Sequence, residues 1–341
     1  MPKKIKCIVW DLDNTLWDGV ALEGNIIPRQ SVYDIIKTLD QRGILHSIAS
    51  RGEEEVSMKI LKSLDLNQYF IDPKINWLPK STNIINIVES LNISMDSVAF
   101  IDDDEFELNQ IDFMLPEVTT IPSDNAPQLL NMQIFNPTFK SKESQSRRLF
   151  YQSDRKRLDA EQTFSSREEF LKSCNMQLSV RLMTISDIPR VLELMTRTHQ
   201  LNTTGKLFKK EKLIKNIEGK FQSDSIFVAE LNDKFGWSGI VGTAITRTTR
   251  SYWRLVFFTL SCRILGRGIE RSFLTVLLDK AIKNNHKNIQ ALLKKTGRNR
   301  MMQAMFQMFG FKHKYDLKDQ TMVFQIDLKQ IPEIPEWVEV I

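Results

Sequence analysis

The fold is decided near the start of the chain by residues 5–16, which read IKCIVWDLDNTL. Residues 5–10 form a short apolar run with β-branched side chains, which predicts a strand buried on both faces of a parallel sheet. Two carboxylates, Asp11 and Asp13, follow directly at the end of that strand. Ligands of open α/β sheets bind at the carboxyl ends of the strands, so chemistry is expected here. Two like charges this close need a cation or a proton between them.

Length and composition indicate an ordinary globular protein. The chain has 341 residues, of which 42% are hydrophobic and 26% are charged, and this size predicts two domains. The net charge of +5 comes with no aromatic-plus-basic motif, so nucleic acid is not a predicted partner. The small basic excess would suit an acidic carrier protein or phosphorylated substrates equally well.

The cysteines and the apolar runs predict a location. The three cysteines, Cys7, Cys174 and Cys262, are odd in number and show no CxxC spacing, which is typical of a reducing compartment without structural disulfides or a zinc cluster. The N-terminal apolar run is too short for a secretory signal, and no segment approaches a transmembrane span. We therefore predict a cytoplasmic protein that does not associate with membranes.

Strand-like and helix-like patterns alternate over residues 1–134. Helices are predicted at about residues 31–42 and 53–64 and after Lys80, and strands at residues 44–49, 69–71 and 98–101. Such alternation indicates βαβ units, that is, a Rossmann-like α/β domain with a parallel sheet and helices on both faces.

A charged segment separates this domain from a second globular pattern. Residues 135–176 predict a charged helical linker that packs on one or both domains or, in the simpler interpretation, is a solvated helix, and either is preferred to a nucleic-acid-binding arm. Residues 177–341 predict a second α/β domain with strands at residues 225–231, 239–247 and 252–261 and a hairpin turn at residues 232–236.

The first domain carries a set of residues suited to phosphoryl transfer. Such a reaction needs a nucleophile, a proton donor and positive charge around the phosphate. Asp11 would attack phosphorus and Asp13 would be the general acid/base. Ser50, after the second strand, would hydrogen-bond a phosphate oxygen, and Lys80 would offset the phosphate charge.

A Mg²⁺ site is predicted at the same strand ends. Asp11, the backbone carbonyl of Asp13, Asp102 and Asp103 supply the hard oxygen ligands that this ion prefers. Each feature alone has a simpler interpretation, because Asp-x-Asp is common in turns, a lone lysine is usually solvated and an acidic triplet is often an exposed loop. Their occurrence together after successive predicted strands favours a site.

Four positions resemble the four motifs of the haloacid dehalogenase (HAD) phosphatase superfamily in order, type and strand context. They are Asp11 with Asp13, Ser50, Lys80, and Asp102. The string WDLDNTLW at residues 10–17 resembles its FkbH-like branch, in subfamily IIIC. One departure is that Arg51, Gly52 and Glu53 follow Ser50, where the family more often has a basic residue followed by Asn-Asp. The motif serine is kept, while the shape of the following loop differs.

The second domain contains a glycine-rich turn between a predicted strand and a predicted helix. Arg263, Gly266 and Gly268 form an Arg-x-x-Gly-x-Gly pattern, and backbone N–H groups at a helix N-terminus favour an anion. The pattern resembles the pyrophosphate loop of GNAT-type acyltransferases. Asn299, with an aromatic residue and Gly-Phe downstream, resembles the last motif of the same fold.

Cys262 lies directly before this turn and has two interpretations of equal weight. A free cysteine is commonly a small buried hydrophobe. Beside Arg263 and an anion-binding turn it would instead be a reactive thiolate. Cys7 is predicted to be structural, and Cys174, in the linker, is predicted to be inert. His199 is predicted to be a surface or capping residue in preference to a base for a thiol.

Both halves together resemble the FkbH-like glyceryl transferase/phosphatases. The resemblance implies an enzyme that takes 1,3-bisphosphoglycerate, releases phosphate and leaves a glyceryl thioester on the phosphopantetheine arm of an acyl carrier protein. The glyceryl unit would then supply hydroxymalonyl-type or methoxymalonyl-type extender units for polyketide or nonribosomal peptide biosynthesis. Cys262 would take the acyl group, and Arg263, Gly266, Gly268 and Asn299 would bind the arm.

Two other functions stay open at this point. One is a HAD phosphatase of small phosphate esters whose GNAT-like domain only binds. The other is a scaffold that recruits carriers without catalysis, which the presence of all four motif residues disfavours.

Overall fold

The computed structural model describes residues 4–137, 139–220 and 223–341. The chain divides into two compact units, Met1–Arg155 and Lys156–Ile341. Each unit combines helices with its own β-sheet, and the α/β fold class predicted from the sequence is confirmed. The boundary between the units falls inside a helix, Arg147–Glu161.

The first unit alternates short strands with helices. Its elements are, in order, β1 Cys7–Trp10, β2 Trp17–Asp18, β3 Ile27–Pro28, α1 Gln30–Gln41, β4 Leu45–Ser50, α2 Glu54–Ser63, β5 Lys74–Ile75, α3 Lys80–Leu91, β6 Val98–Asp102, α4 Glu105–Met114, β7 Thr119–Pro122, α5 Lys142–Gln145 and the start of α6 Arg147–Glu161. Strands β2 and β3 pair separately as a small antiparallel ribbon.

A five-stranded parallel sheet organises this unit. Its strand order is β5-β4-β1-β6-β7, so β1 is the central strand. Cys7 is opposite Leu45 of β4 on one side and opposite Val98 of β6 on the other. The chain that leaves β1 therefore emerges between the ends of β4 and β6, and the Asp11 N–H still donates to the Ile101 carbonyl at 2.9 Å.

Both faces of the sheet are covered, which explains why β1 is a continuous apolar run. Ile8 and Trp10 point into a core with α1 and α2, and Cys7 and Val9 point into a second core with α3 and α4. All four side chains are fully buried. The predicted doubly covered parallel sheet is thus present.

One predicted strand is reduced to a single bridge, and several short strands were missed. Residues 69–71 form only one parallel bridge, between Phe70 and His46 of β4, since a 3-10 helix occupies Asn67–Tyr69 and Asp72 takes a left-handed conformation with φ 50° that turns the chain. The edge strand on this side is β5, two residues long and further on. The opposite edge strand, β7, was missed because its polar TTIP sequence ends in proline, which only an edge strand tolerates.

The second unit is built on a larger mixed sheet. Its elements after α6 are α7 Arg167–Ser173, β8 Met176–Leu182, α8 Ile188–Arg197, α9 Lys210–Ile217, β9 Asp224–Asp233, β10 Gly236–Thr248, β11 Trp253–Leu260, α10 Ile269–Lys283, β12 Ile289–Leu293, α11 Arg300–Met308, β13 Phe311–Asp316, β14 Met322–Ile326 and β15 Val338–Val340.

The eight strands follow the order β13-β14-β12-β11-β10-β9-β8-β15. Strands β9 and β10 pair antiparallel across the turn at residues 233–236, so the predicted hairpin is confirmed. Helices α10 and α11 pack on one face, and α8 and α9 pack on the other. The parallel pair β11 and β12 is joined only from Trp253 to Leu255, and the two strands separate beyond that point.

The first unit contains a buried histidine that makes its stability depend on pH. Trp10 donates its indole N–H to Nδ1 of His46 at 3.0 Å, and burial lowers the pKa of His46 to about 3. Below about pH 6.5 the unfolded chain binds a proton at this site that the folded chain does not. The free energy of unfolding should therefore fall as the pH falls.

We expect this group alone to contribute a slope of about 1.4 kcal/mol per pH unit between about pH 5.5 and pH 4. Urea unfolding of the wild type, His46→Gln and the control His199→Gln, whose side chain is exposed, measures it. The slope should be shallower by that amount in His46→Gln and unchanged in His199→Gln. Equal slopes in all three proteins would contradict the buried neutral state.

Candidate functional site

The predicted site residues of the first unit meet at the carboxyl ends of the three central strands. Asp11 follows β1, Ser50 ends β4 and Asp102 ends β6. Because β4 and β6 flank β1, their ends lie on either side of Asp11. Lys80 enters from the first position of α3, and all four side chains are buried.

Lys80 is the centre of this cluster. Its ammonium lies 2.9 Å from Oδ1 of Asp11 and 2.6 Å from Oδ2 of Asp102. Ser50 adds a hydrogen bond to the Asp11 carboxylate. The ammonium also lies 5.9 Å from the centroid of the Phe100 ring, so one side of it faces the apolar core. The cluster is an ion triad at the edge of the core.

The electrostatics of the triad reflect a balance between burial and pairing. Burial raises the pKa of Asp11 to about 7, the Lys80 charge opposes this rise, and Asp102 adds to it. Burial likewise raises the pKa of Asp102, with partial compensation from Lys80. Burial alone would lower the pKa of Lys80, but the two carboxylates outweigh it and the pKa lies above its usual value. Lys80 therefore stays charged, and Asp11 titrates near neutral pH.

Three carboxylates are arranged to hold a hard cation. Asp11, Asp102 and Asp103 each offer an oxygen, and these oxygens lie within 4.8 Å of one another. An all-oxygen set with three acids suits a divalent ion such as Mg²⁺. The Asp104 N–H donates to Oδ1 of Asp102 at 3.0 Å, which orients that carboxylate. The residues present thus fit the predicted metal.

Asp13 occupies a different position from the other three acids. Its Oδ1 accepts hydrogen bonds from the Trp17 indole N–H at 2.8 Å and from the Ala21 N–H at 3.0 Å. Its side chain is therefore tied to the segment that begins with β2 and is separate from the metal-binding group. The predicted acid/base group is the Asp13 carboxylate, whereas the predicted metal ligand is the Asp13 backbone carbonyl.

One contact near this site was not anticipated from the sequence. Arg51, in the loop that departs from the family pattern, forms an ion pair of 2.8 Å with the buried Glu107 of α4. The loop after Ser50 is thereby linked to the helix that follows Asp103. No local sequence signal reports this pair, because its members are far apart along the chain.

The glycine-rich turn of the second unit has the backbone that its sequence predicts. Gly266 and Gly268 have φ values of 72° and 83°, and α10 begins directly after them. Glu270, however, lies in the first turn of that helix, and burial raises the pKa of its carboxyl. The surrounding backbone and Arg271 lower that pKa in part, while Oε2 of Glu270 has no hydrogen-bond partner among the described residues. An acidic side chain of the protein therefore lies close to the predicted anion-binding turn.

Other side chains also crowd this turn. A Cβ added at Gly268 would lie 2.8 Å from Pro335, and Trp337 donates its indole N–H to the Arg267 carbonyl at 2.8 Å. Arg167 donates to the Gly266 carbonyl at 3.3 Å. The guanidinium of Arg263 donates to the Ser238 carbonyl at 3.3 Å.

The three cysteines differ sharply in exposure. Cys7, predicted to be structural, and Cys174 are buried, whereas Cys262 is exposed at the start of a 3-10 helix, Cys262–Ile264. Exposure removes the interpretation of Cys262 as a small core side chain. It leaves a thiol open to solvent at the end of β11.

Asn299 has a positioning role. Its amide nitrogen donates to the carbonyls of Asn202 and Lys294, both at 2.9 Å, and its oxygen accepts from the Thr296 N–H at 3.0 Å. The side chain is 2% exposed. Its contacts are thus with the backbone around residues 201–205 and the end of β12.

Residues 201–205 fill the opening between β11 and β12. The Thr203 N–H donates to the Phe258 carbonyl at 3.0 Å, and the Leu260 N–H donates to the Leu201 carbonyl at 3.0 Å. On the other side, the Lys294 N–H donates to the Thr203 carbonyl at 2.8 Å. The segment therefore acts as a short strand between two parted strands, a long-range pairing that its polar sequence does not indicate.

Comparison with solved structures finds similarity to each half of the chain. A Mg-complexed N-terminal part of a Bacteroides fragilis protein, containing a phosphatase domain, is 29% identical over 40% of this chain and 42% of that chain, with a TM-score of 0.34. The ribosomal-protein-S18-alanine N-acetyltransferase of Escherichia coli is 14% identical over 47% of this chain and 97% of that chain, with a TM-score of 0.33. The ribosomal-protein-S5-alanine acetyltransferase of Vibrio fischeri is 21% identical over 45% of this chain and 94% of that chain, with a TM-score of 0.35.

The match to the Bacteroides structure thus spans less than half of that chain. No protein-family model matches the sequence, and no curated protein matches it. Within the described parts of the chain, no helix is both long enough and apolar enough to cross a membrane.

The raised pKa of Asp11 makes cation binding depend on pH. Asp11 must be deprotonated to serve as a ligand, and its pKa is raised to about 7. We expect the apparent Kd for Mg²⁺ to rise about tenfold for each pH unit below 7 and to level off above it. Calorimetric titration with MgCl₂ from about pH 5.5 to 8.5 tests this. A flat profile, or an unchanged profile in Asp11→Asn, would contradict it.

Proposed function

We propose that this protein is a Mg²⁺-dependent glyceryl transferase/phosphatase. In this proposal it converts 1,3-bisphosphoglycerate into a glyceryl thioester on an acyl carrier protein and releases phosphate. The thioester would supply hydroxymalonyl-type or methoxymalonyl-type extender units for polyketide or nonribosomal peptide biosynthesis. The observation that carries the enzymatic part is the buried arrangement of Asp11, Lys80 and Asp102 at the strand ends, with 2.9 and 2.6 Å contacts.

The first unit would remove phosphate from an ester. Asp11 attacks phosphorus with one carboxylate oxygen, the P–O bond to the substrate breaks, and an aspartyl phosphate forms. Asp13 donates a proton to the leaving oxygen and then takes one from the water that hydrolyses the intermediate. Ser50 donates a hydrogen bond to a phosphate oxygen, and Lys80 offsets the developing charge. A bound Mg²⁺ would supply further charge neutralisation near Asp11, Asp102 and Asp103.

The second unit would carry out the acyl transfer. The acyl phosphate of 1,3-bisphosphoglycerate is an activated donor. The Cys262 thiolate attacks its carbonyl carbon, the C–O bond to phosphate breaks, and a thioester and free phosphate result. Transfer to the thiol of the carrier's phosphopantetheine arm then regenerates Cys262. The exposure of Cys262 supports this role, because a carrier thiol must reach it.

The arm's phosphate would bind at the turn of Gly266 and Gly268. Glu270 lies in the first turn of the helix that follows, so the phosphate would enter beside an acidic side chain. Arg167 beside Gly266 and Arg263 add positive charge. In this proposal Asn299 contributes by holding residues 201–205 in place.

A second candidate is a HAD phosphatase of small phosphate esters with a non-catalytic GNAT-like binding unit. The observation that favours it is that residues 201–205 close the opening between β11 and β12. An acidic residue, Glu270, also lies in the first turn of the helix after the glycine-rich turn. The two candidates share the chemistry of Asp11 and differ in that of Cys262.

Substitution of the nucleophile tests the chemistry that both candidates share. We expect Asp11→Asn to lower phosphate release from 3-phosphoglycerate or p-nitrophenyl phosphate by roughly 10⁴-fold or more, because an amide cannot form the phosphoenzyme. Asp96→Asn, an exposed acid elsewhere in the unit, is the control and should keep full activity. Retained activity in Asp11→Asn would remove Asp11 as the nucleophile.

Substitution of the exposed thiol separates the two candidates. After incubation with 1,3-bisphosphoglycerate and a carrier protein, intact-protein mass spectrometry should find a glyceryl adduct on the enzyme and on the carrier. We expect Cys262→Ala to abolish both adducts while phosphate release by the Asp11 site continues. Cys174→Ala, which removes a buried thiol, should retain both. Undiminished adducts in Cys262→Ala would remove the covalent role of Cys262, and the absence of any adduct in the wild type would favour the second candidate.

A further inference from the structure

The second unit contains a cavity that no step of the proposed chemistry has used. Its volume is about 500 Å³, and its lining combines an apolar floor with a charged rim. Ile245, Val256 and Leu292 contribute to the floor. The rim carries Lys206, Lys212, Arg247 and Lys294 as cations and Asp224 and Asp319 as anions.

The charges around this rim do not balance. Arg247 and Asp224 form a two-pronged ion pair, with contacts of 2.7 and 2.8 Å, and the pKa of Asp224 is lowered mainly by Arg247 and in part by Lys212. Asp319 lies 3.7 Å from Lys294, and both side chains are about half exposed or more, which makes this a loose surface pair. Four cations thus face two anions, which leaves an excess of two positive charges in one concave region. Such an excess attracts an anion.

The cations are held by packed elements. Lys206 and Lys212 place their ammonium groups 5.5 and 5.6 Å from the centroid of one ring, that of Phe208. Phe208 packs edge-to-face on the buried Phe257, with the ring centroids 5.4 Å apart. Two like charges are therefore held near the same aromatic ring.

Residues 201–205 help to shape this rim. Their backbone pairs with β11, and Asn299 holds them in place. Thr204 lines the cavity, and its hydroxyl accepts a hydrogen bond from the Lys206 N–H at 3.3 Å. The segment that fills the opening between β11 and β12 therefore also positions Lys206 at the cavity.

We propose that this cavity binds a small phosphorylated carboxylic acid. Its phosphate would lie among Lys206, Lys212 and Lys294, and its short carbon chain would contact the apolar floor. The proposal rests on the proposed function only for the class of ligand, because Cys262 does not line the cavity and the bound acid would lie apart from that thiol. Phosphate could also come from a phosphopantetheine arm. The small acid is favoured because the β11 edge, along which an extended amide arm would pair, is taken by residues 201–205.

Methyl NMR of the full chain with defined ligands tests this site directly. The reporters are the methyl groups of Ile245, Val256 and Leu292 at the cavity and of Ile101 at the metal-binding group of the first unit. We expect 3-phosphoglycerate to shift the cavity methyls with saturation. Glycerate, which lacks the phosphate, should bind at least about tenfold more weakly than 3-phosphoglycerate. Phosphopantetheine should leave the signals of these methyl groups unchanged.

Substitutions on the rim complete the test. Lys206→Gln and Lys294→Gln should each weaken 3-phosphoglycerate binding at the cavity by about five- to tenfold, and Lys294→Glu should weaken it further. Lys209→Gln, an exposed lysine that does not line the cavity, is the matched control and should bind as the wild type does. Spectra of each apo variant that overlay those of the wild type away from the substitution show that it is folded.

Three results would overturn the proposal. They are the absence of any cavity shift with 3-phosphoglycerate, shifts that are undiminished in Lys294→Glu, and shifts with phosphopantetheine alone. The proposed function fails on different evidence. Asp11→Asn and Cys262→Ala should leave the cavity titration unchanged, so loss of phosphate release or of the acyl adduct does not imply loss of this site.

Discussion

The first unit depends on one buried ammonium between two buried carboxylates. Lys80 contacts Asp11 and Asp102 at 2.9 and 2.6 Å, at a point where three parallel strands end. Removing one member of such a group leaves an uncompensated buried charge, which is far more costly than the pair itself is stabilising. The group has a surplus of negative charge once Asp103 is counted, and that surplus is what a divalent cation would neutralise. The ion triad therefore contributes little to folding stability, but it suits a reaction in which charge develops.

The sheet supplies the geometry that this charge cluster needs. With β1 in the centre, Asp11 leaves the sheet between the ends of β4 and β6, so Ser50 and Asp102 approach it from both sides without any long loop. Cover on both faces keeps water away from the strands and raises the pKa of Asp11 to about 7. The same cover makes His46 neutral and lets Trp10 donate to it. Core packing and site electrostatics are therefore two consequences of one doubly covered parallel sheet.

That these side chains meet at one edge of the sheet could be predicted, because the sequence signals are local. Asp11, Ser50 and Asp102 each follow a short buried strand, and parallel strands bring their carboxyl ends together. Prediction was weaker where a residue's role depends on distant partners. The side chain of Asp13 accepts hydrogen bonds from the Trp17 indole and the Ala21 N–H. In place of the strand predicted at residues 69–71, the chain has a 3-10 helix and a turn at Asp72. Arg51 forms an ion pair with Glu107 of α4. In the second unit, the pairing of residues 201–205 with β11 joins positions nearly 60 apart in the chain, as the Leu201 and Thr259 contact illustrates. Hydrophobic periodicity carries no information about such contacts.

The two anion-attracting regions of the second unit show how charge balance modifies a motif. The turn of Gly266 and Gly268 has the conformation its glycines predict, and Glu270 lies in the first turn of the helix that follows, so an incoming phosphate would meet an acidic side chain there. The cavity near Phe208 has no sequence motif, yet its four cations exceed its two anions. A glycine pattern thus identifies a geometry, while the net charge around that geometry decides how readily an anion enters it. By this criterion the excess of cations makes the cavity a candidate anion site that no glycine pattern would reveal.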